Sequence, residues 1–314
     1  MPSSCSARRA ALAVSCLLSA TSFSAMAHGI AGDRIFPATL TVDDPAVADE
    51  LALPTVTYTR SGVDANGVGP TSQIDVNASY AKRITDRLGV SVQLGQSFYD
   101  VANAKGRNGW QDITVGAKYQ AYVNAPHEVL VSLGVTRELP HTGSAQTGAD
   151  TVGNTKPTLY FGKGMGDLPV QALRPFAITG TVGYQVSDKK PSSVDTTNGG
   201  YENRIVGGLT LQYSIPYLQS QVHHYDLPGW AEKLTPIVEL SYSSPVTRPS
   251  TVPMQLMIAP GVVYSEDSWQ FAVEALIPAN RNTGTNVGVI AELHFFLDDI
   301  FPKSLGRPVV DWFR

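Results

Sequence analysis

The chain has 314 residues, a formal net charge of −4, 43% hydrophobic and 16% charged residues, and a mean hydropathy close to neutral. That mild acidity, without a long basic run, speaks against nucleic acid as a partner. The two cysteines, Cys5 and Cys16, both precede residue 28, so the rest of the chain carries no disulfide scaffold, thiolate metal site or cysteine nucleophile.

The first 27 residues read as a cleavable secretion signal. Arg8 and Arg9 form a basic start, Ala10 to Ala20 an apolar core, and Ala25-Met26-Ala27 an A-x-A site that leaves His28 as the mature N-terminus. A twin-arginine route lacks the rest of its motif. A lipoprotein route through Cys16 would need a better lipobox than Ala13-Val14-Ser15. Removing the leader's 2 arginines from the 23 basic residues leaves 21 against 27 acidic ones, a net charge of −6. Residues 28–52 do not alternate cleanly and hold an acidic stretch from Asp43 to Glu50. This segment has two readings, a periplasmic lead-in or a plug folded into a lumen.

From residue 53 to 301 one pattern repeats. Segments of about ten residues alternate apolar and polar side chains, the period of a half-buried strand. Twelve strands are predicted, at 53–62, 72–84, 89–101, 110–123, 128–139, 155–165, 173–187, 203–215, 234–246, 252–265, 268–279 and 286–298. In the last of them Val287, Val289, Ala291, Leu293 and Phe295 share one face, and Gly288, Ile290, Glu292 and His294 the other. In 155–165 the glycines at 162, 164 and 166 blur the alternation and mark a bulge or a close backbone approach. The connections at 85–89, 124–128 and 266–268 are short, and those at 102–109, 140–154 and 188–202 are long and polar. The 216–233 connection is long on the short-turn side, and its Tyr217, Tyr225 and Trp230 suit a membrane interface. Residues 302–314 form a tail on the same side.

This is the pattern of a single transmembrane antiparallel β-barrel of about twelve strands, with both termini periplasmic, in the outer membrane of a Gram-negative cell. Lipid-facing and lumen-facing residues alternate along each strand, and closure leaves no unpaired backbone in hydrocarbon. A soluble sandwich or propeller would bring more large apolar residues to the second face, where Asp75, Asn77, Ser79, Gln93, Thr114, Lys118 and Gln120 stand. The class implies outer-membrane lipid and the barrel-assembly machinery as partners.

Several motifs resemble one family. The run from Gly109 through Asp112, Gly116 and Lys118 to Tyr119 resembles the G-x-x-D-x-x-x-G-x-K-Y strand of outer-membrane proteins labelled MetA-pathway of phenol degradation. Thr85-Asp86-Arg87-Leu88-Gly89-Val90 resembles the turn before that family's third strand. Pro175-Phe176 with Gly180 and Gly183-Tyr184 is similar to its mid-barrel strand. The resemblance implies an outer-membrane channel, in some cases encoded beside aromatic-degradation genes, and spans most of 53–296. It does not extend to 28–54.

Alternation points Asp112, Lys118, Glu138, Arg204, Glu239, Glu274 and Glu292 into the lumen. Charge rings set pore selectivity, so Glu274 and Glu292 on neighbouring strands would favour cations or polar solutes. The competing reading pairs these acids with Lys118 and Arg204 to fill a narrow interior. No metal or cofactor is assigned. An N-terminal His28 could hold Cu(II) through amine and imidazole, but any residue tolerated after A-x-A would serve there, and His223-His224 lack the spacing of a zinc pair. An outer-membrane hydrolase would need a serine beside a histidine on the outer wall. His294 points inward instead, and no G-x-S-x-G motif is present. The readings in order are a channel for small, hydrophobic or aromatic molecules, a non-transporting structural or docking barrel, and a lipid-modifying enzyme.

Overall fold

The computed structural model describes residues 29–62, 69–147, 149, 152–189, 202–246 and 253–313. The predicted leader and parts of four connections lie outside the described residues. A short hairpin, β1 (Gly29–Ala31) and β2 (Arg34–Phe36), comes first. There follow β3 (Glu50–Ser61), β4 (Thr71–Arg83), β5 (Leu88–Val101), β6 (Arg107–Trp110), β7 (Thr114–Asn124), β8 (Val129–Glu138) and β9 (Asn154–Gly164). The chain then forms β10 (Phe176–Ser187), β11 (Arg204–Tyr213), β12 (Leu234–Pro245), β13 (Gln255–Ser265), β14 (Trp269–Pro278) and β15 (Gly288–Phe296).

Strands β3 to β15 make one 13-stranded antiparallel sheet in which β15 returns to pair with β3. Strands β6 and β7 both lie along β5, at Gln96–Tyr99 and Leu88–Gln93, so they are two halves of one stave. The result is a closed twelve-strand barrel. Closure removes the free edges that an open sheet would expose, except along β6, which pairs with β5 alone and meets Ser144 on its other side.

The period-two pattern sets the faces. Tyr119, Leu133, Leu159 and Val182 lie side by side across β7 to β10 and all point outward and exposed. Leu133 is 53% exposed, whereas its neighbour Ser132 is 0% exposed. A one-residue slip would exchange these faces, so the apolar wall itself fixes the register.

The predicted strands match the observed ones to within a few residues, with two differences. The first stave begins at Glu50 rather than 53, because a bulge between Ala52 and Thr55 breaks the alternation there. The predicted strand 110–123 is interrupted at residues 111–113. The short connections gather at one rim, here the turn rim, together with residues 165–175 and 214–233. The other, the loop rim, carries the longer connections.

Candidate functional site

Residues 37–49, between β2 and β3, run among the inward side chains of the barrel. The Glu239 carboxylate on β12 accepts hydrogen bonds from the Thr41 N–H at 2.6 Å, the Val42 N–H at 3.2 Å, the Thr41 hydroxyl and the Thr210 hydroxyl. Gln270 on β14 donates to the Ala38 carbonyl at 2.7 Å, and Ser132 on β8 donates to that of Pro45. Lys118 on β7 donates to the Asp44 carbonyl at 2.9 Å and pairs with Asp43 at 3.1 Å, its ammonium 4.6 Å from the centre of the Tyr160 ring. A segment without strand partners of its own thus finds its hydrogen bonds on the wall.

The wall also makes room for it. A side chain at Gly162 would meet the Phe36 ring and Pro45 at 3.1 Å, and one at Gly208 would run into Val42. Apolar contacts complete the fit. Phe36 packs with Ala31, Leu130 and Ala177. Leu40 packs against Ile237, Val263 and Ala272, and against Ala259, Leu276 and Ile290. The inward face is therefore two-sided. It is polar along β4 to β9 and mixed along β12 to β15, where Ile237, Ala259, Val263, Leu276 and Ile290 stand among the buried Glu239, Gln270, Glu274, Glu292 and His294, whereas the sequence argument for a wet interior drew on β4 to β7 alone.

At the turn rim the β1–β2 hairpin is held by a buried cluster. Arg34, 0% exposed, pairs with Glu128 at 3.1 Å, donates to the Pro175 and Arg174 carbonyls, and stacks 3.6 Å from the centre of the Tyr217 ring. Tyr217 in turn donates its hydroxyl to Glu128 at 2.7 Å. Burial and the adjacent Glu128 push the Tyr217 phenol up to about 12, and burial lowers Arg34. A second cluster closes the segment's far end, where Asp49 pairs with Lys82 at 2.6 Å and Arg83 at 2.8 Å, and Arg83 reaches Asp298 at 3.1 Å. Burial raises the Asp298 carboxyl to about 7, against the pull of Arg83.

Beside residues 37–49 the lumen holds a cavity of about 820 Å³, lined from Glu50, Ala81 and Gly89 near the turn rim to Glu138 and Thr283 near the loop rim. Thr39, Thr41, Asp43 and Ala46 floor it, Lys118, Lys156, Glu138 and Tyr160 stand on one side, and Met257, Leu276 and Ile290 on another.

The predicted lumen residues are distributed unevenly over this space. Glu138, bonded to Asn154, Lys118 and Glu292 line the cavity. Glu239 and Glu274 lie together beneath residues 40–42, Glu274 buried against Glu239 and the Leu40 backbone. Arg204 sits near the loop rim, bonded to Ser243 and the Pro253 carbonyl. Asp112 lies off the cavity, in the break between β6 and β7, where strand alternation no longer sets direction. It accepts from the Thr142 and Gly143 N–H groups at 3.0 and 2.8 Å and so ties down the 139–143 loop.

The hydrogen bonds of Lys118 go to Asp43 and the Asp44 carbonyl and those of Arg204 to Ser243 and the Pro253 carbonyl, rather than to Glu274 or Glu292. Glu292 accepts instead from Thr55 at 2.7 Å and contacts His294 at 3.1 Å, and the other His294 nitrogen faces Glu50 at 3.2 Å. Both imidazole nitrogens thus meet carboxylates, which leaves neither for a serine. Among the described residues no group of three or more His, Asp or Glu is placed to hold a metal ion, and no helix is long and apolar enough to cross a membrane. Sequence reasoning missed Arg34, Glu128, Asp49, Lys82 and Arg83, and it placed Tyr217 at a membrane interface, whereas the ring is buried against Arg34 and Glu128. The inward glycines of β9 were the one local signal that something approaches the wall.

These features define a twelve-strand antiparallel barrel with an apolar outer wall and an occupied lumen. No family model matches the chain, and no curated protein matches it. Solved structures do. The fold is similar to that of an outer-membrane channel from Pseudomonas putida F1, at 12% identity over 83% of this chain and 99% of that one, with a TM-score of 0.53. Two porins align more loosely. NanC has 10% identity over 78% of this chain and 99% of its own, with a TM-score of 0.47. KdgM has 12% identity over 78% and 98%, with a TM-score of 0.45.

Proposed function

We propose that the protein is an outer-membrane channel, secreted through its 1–27 leader, that admits small amphipathic molecules, hydrophobic or aromatic ones among them. The observation that carries this reading is the two-sided cavity inside a wall whose exposed surface is apolar. One side offers hydroxyls, amides and charge, the other Met257, Leu276 and Ile290 with Glu292 among them, and a solute with an apolar body and a polar edge fits both. The resemblance to the phenol-degradation family and the channel function named for the Pseudomonas protein point the same way. In this reading the turn rim is periplasmic and residues 37–49 close the channel on that side, so transport requires them to move.

The packed state of that segment also favours a second reading, a closed barrel used for docking. Conductance separates the two. Removing Glu239 leaves the Thr41 and Val42 N–H groups without their acceptor, at a cost of about 1–3 kcal/mol for each buried group left unpaired. Glu239→Ala combined with Lys118→Ala should therefore loosen the segment and raise single-channel conductance severalfold over the native protein in planar bilayers. A folded double variant that conducts no better than an empty bilayer would leave the docking reading.

A further inference from the structure

The chain continues past β15 into a compact foot at the turn rim. The Val310 N–H donates to the Ile84 carbonyl at 3.1 Å, the Trp312 indole N–H to the Ser304 carbonyl at 3.2 Å, and Arg307 to the Asp311 carbonyl at 3.0 Å. Lys82 fastens the foot to the barrel. Its ammonium donates to the Leu305 and Arg307 carbonyls at 2.8 and 2.6 Å, in addition to Asp49, and lies 5.4 Å from the centre of the Trp312 ring.

Arg83, on the opposite face of β4 from Lys82, donates to the Gly306 carbonyl at 2.9 Å. The even-numbered face of that strand carries Ile74, exposed on the outer wall. The foot is thus held from both faces of β4 and sits at the end of the wall. Its own outer side is apolar and held in place. Trp312 is 49% and Phe313 85% exposed, and Leu305 and Val310 are exposed beside them. Lys303 and Arg307 are exposed as well, and Asp311 is the one acid between Ile300 and Phe313. Aromatic rings in a fixed fold, flanked by basic side chains and set at the end of an apolar wall, match the boundary between acyl chains and lipid phosphates.

We infer that residues 301–313 form a membrane-interface foot that binds anionic phospholipid headgroups at the turn rim, its aromatic side chains seated at the acyl boundary. The inference rests on the reading of the barrel as membrane-spanning. Through Lys82 and Asp49 the foot also abuts the end of the lumen segment, so lipid contact would steady the side on which that segment is anchored.

Tryptophan quenching tests this on the full-length protein in vesicles of phosphatidylcholine and phosphatidylglycerol brominated near the top of the acyl chains. The difference between native protein and Trp312→Phe isolates the Trp312 signal without removing the other tryptophans. Leu133→Trp, in the Trp312→Phe background, reports on the wall. Brominated lipid should quench Trp312 at least twofold more than aqueous iodide does. The lipid quenching should weaken in pure phosphatidylcholine and in the Lys303→Gln, Arg307→Gln variant. Iodide quenching of Trp312 without lipid quenching, while Leu133→Trp is quenched by lipid, would overturn the foot and leave the barrel reading intact. Loss of lipid quenching at both positions would overturn both. Lipid quenching indifferent to phosphatidylglycerol and to the two basic residues would overturn the headgroup assignment.

Discussion

Asp44 is a carboxyl placed out of reach of water, 6% exposed, with its Oδ1 accepting the Ala46 N–H at 2.6 Å. Burial raises it to about 7 despite the attraction of Lys118, and Glu50 and Asp43 add to the rise. An unfolded aspartate titrates near ~3.9, so between these values the docked segment holds a proton that the released one does not. The contribution of Asp44 to docking is therefore fully present below about pH 4 and is lost as pH rises through about 7. Amide exchange at Val42 and Ala46 should accordingly be faster, relative to the intrinsic rate, at pH 8 than at pH 5.5. Asp44→Asn keeps an acceptor for the Ala46 N–H and removes the charge, so its protection should change less over the same range. An identical pH profile in the two proteins would mean that Asp44 does not titrate in this window.

At the scale of elements, the lumen segment and the strands are fitted to each other through small residues. Gly162 pairs with Leu130 and Thr179 across β8 and β10, and it faces Phe36 and Pro45. Gly162→Ile should leave the outer wall untouched and displace those two residues, since added atoms in a close-packed site cost about 1–3 kcal/mol. The heat-modifiable barrel band should persist while protease begins to cut between residues 37 and 49. Continued protection of the segment would show that it accommodates the larger side chain. The strands were legible because alternation is a local signal, and it survived even in β9. The break at residues 111–113 was not, because there the backbone answers to the distant 139–143 loop through Asp112. Nor was the route of residues 37–49. Their partners Glu239 and Gln270 lie about 200 residues further along the chain, and nothing in the spacing of the segment names them. Alternation points Lys118 and Glu239 inward, where they meet residues 41 to 44. It could not say that the inward direction ends on another part of the chain.

For the molecule as a whole, the rims differ in what they carry, and the proposed orientation of the barrel rests on that difference. Short turns such as 84–87 and 125–128 stand at the same rim as the segment entering β3 and the foot leaving β15, whereas the long polar connections stand at the other. Barrels of the outer membrane place short turns toward the periplasm and long loops outside. A chain threaded inward through the turn rim, and anchored there by Arg34 and Asp49, is consistent with insertion from that side. Ala145, exposed in the 139–153 connection, and Asp86, exposed in the 84–87 turn, sample the two rims. The chain beyond residue 27 has no cysteine, so each can be labelled alone. Ala145→Cys should react with a membrane-impermeant maleimide on intact cells within minutes, and Asp86→Cys should react only after the outer membrane is permeabilised. Labelling of Asp86→Cys on intact cells with Ala145→Cys protected would turn the barrel over, setting the lumen segment and the foot on the outer face. Reaction of both on intact cells would be the more damaging result, since it would mean that no membrane separates the rims.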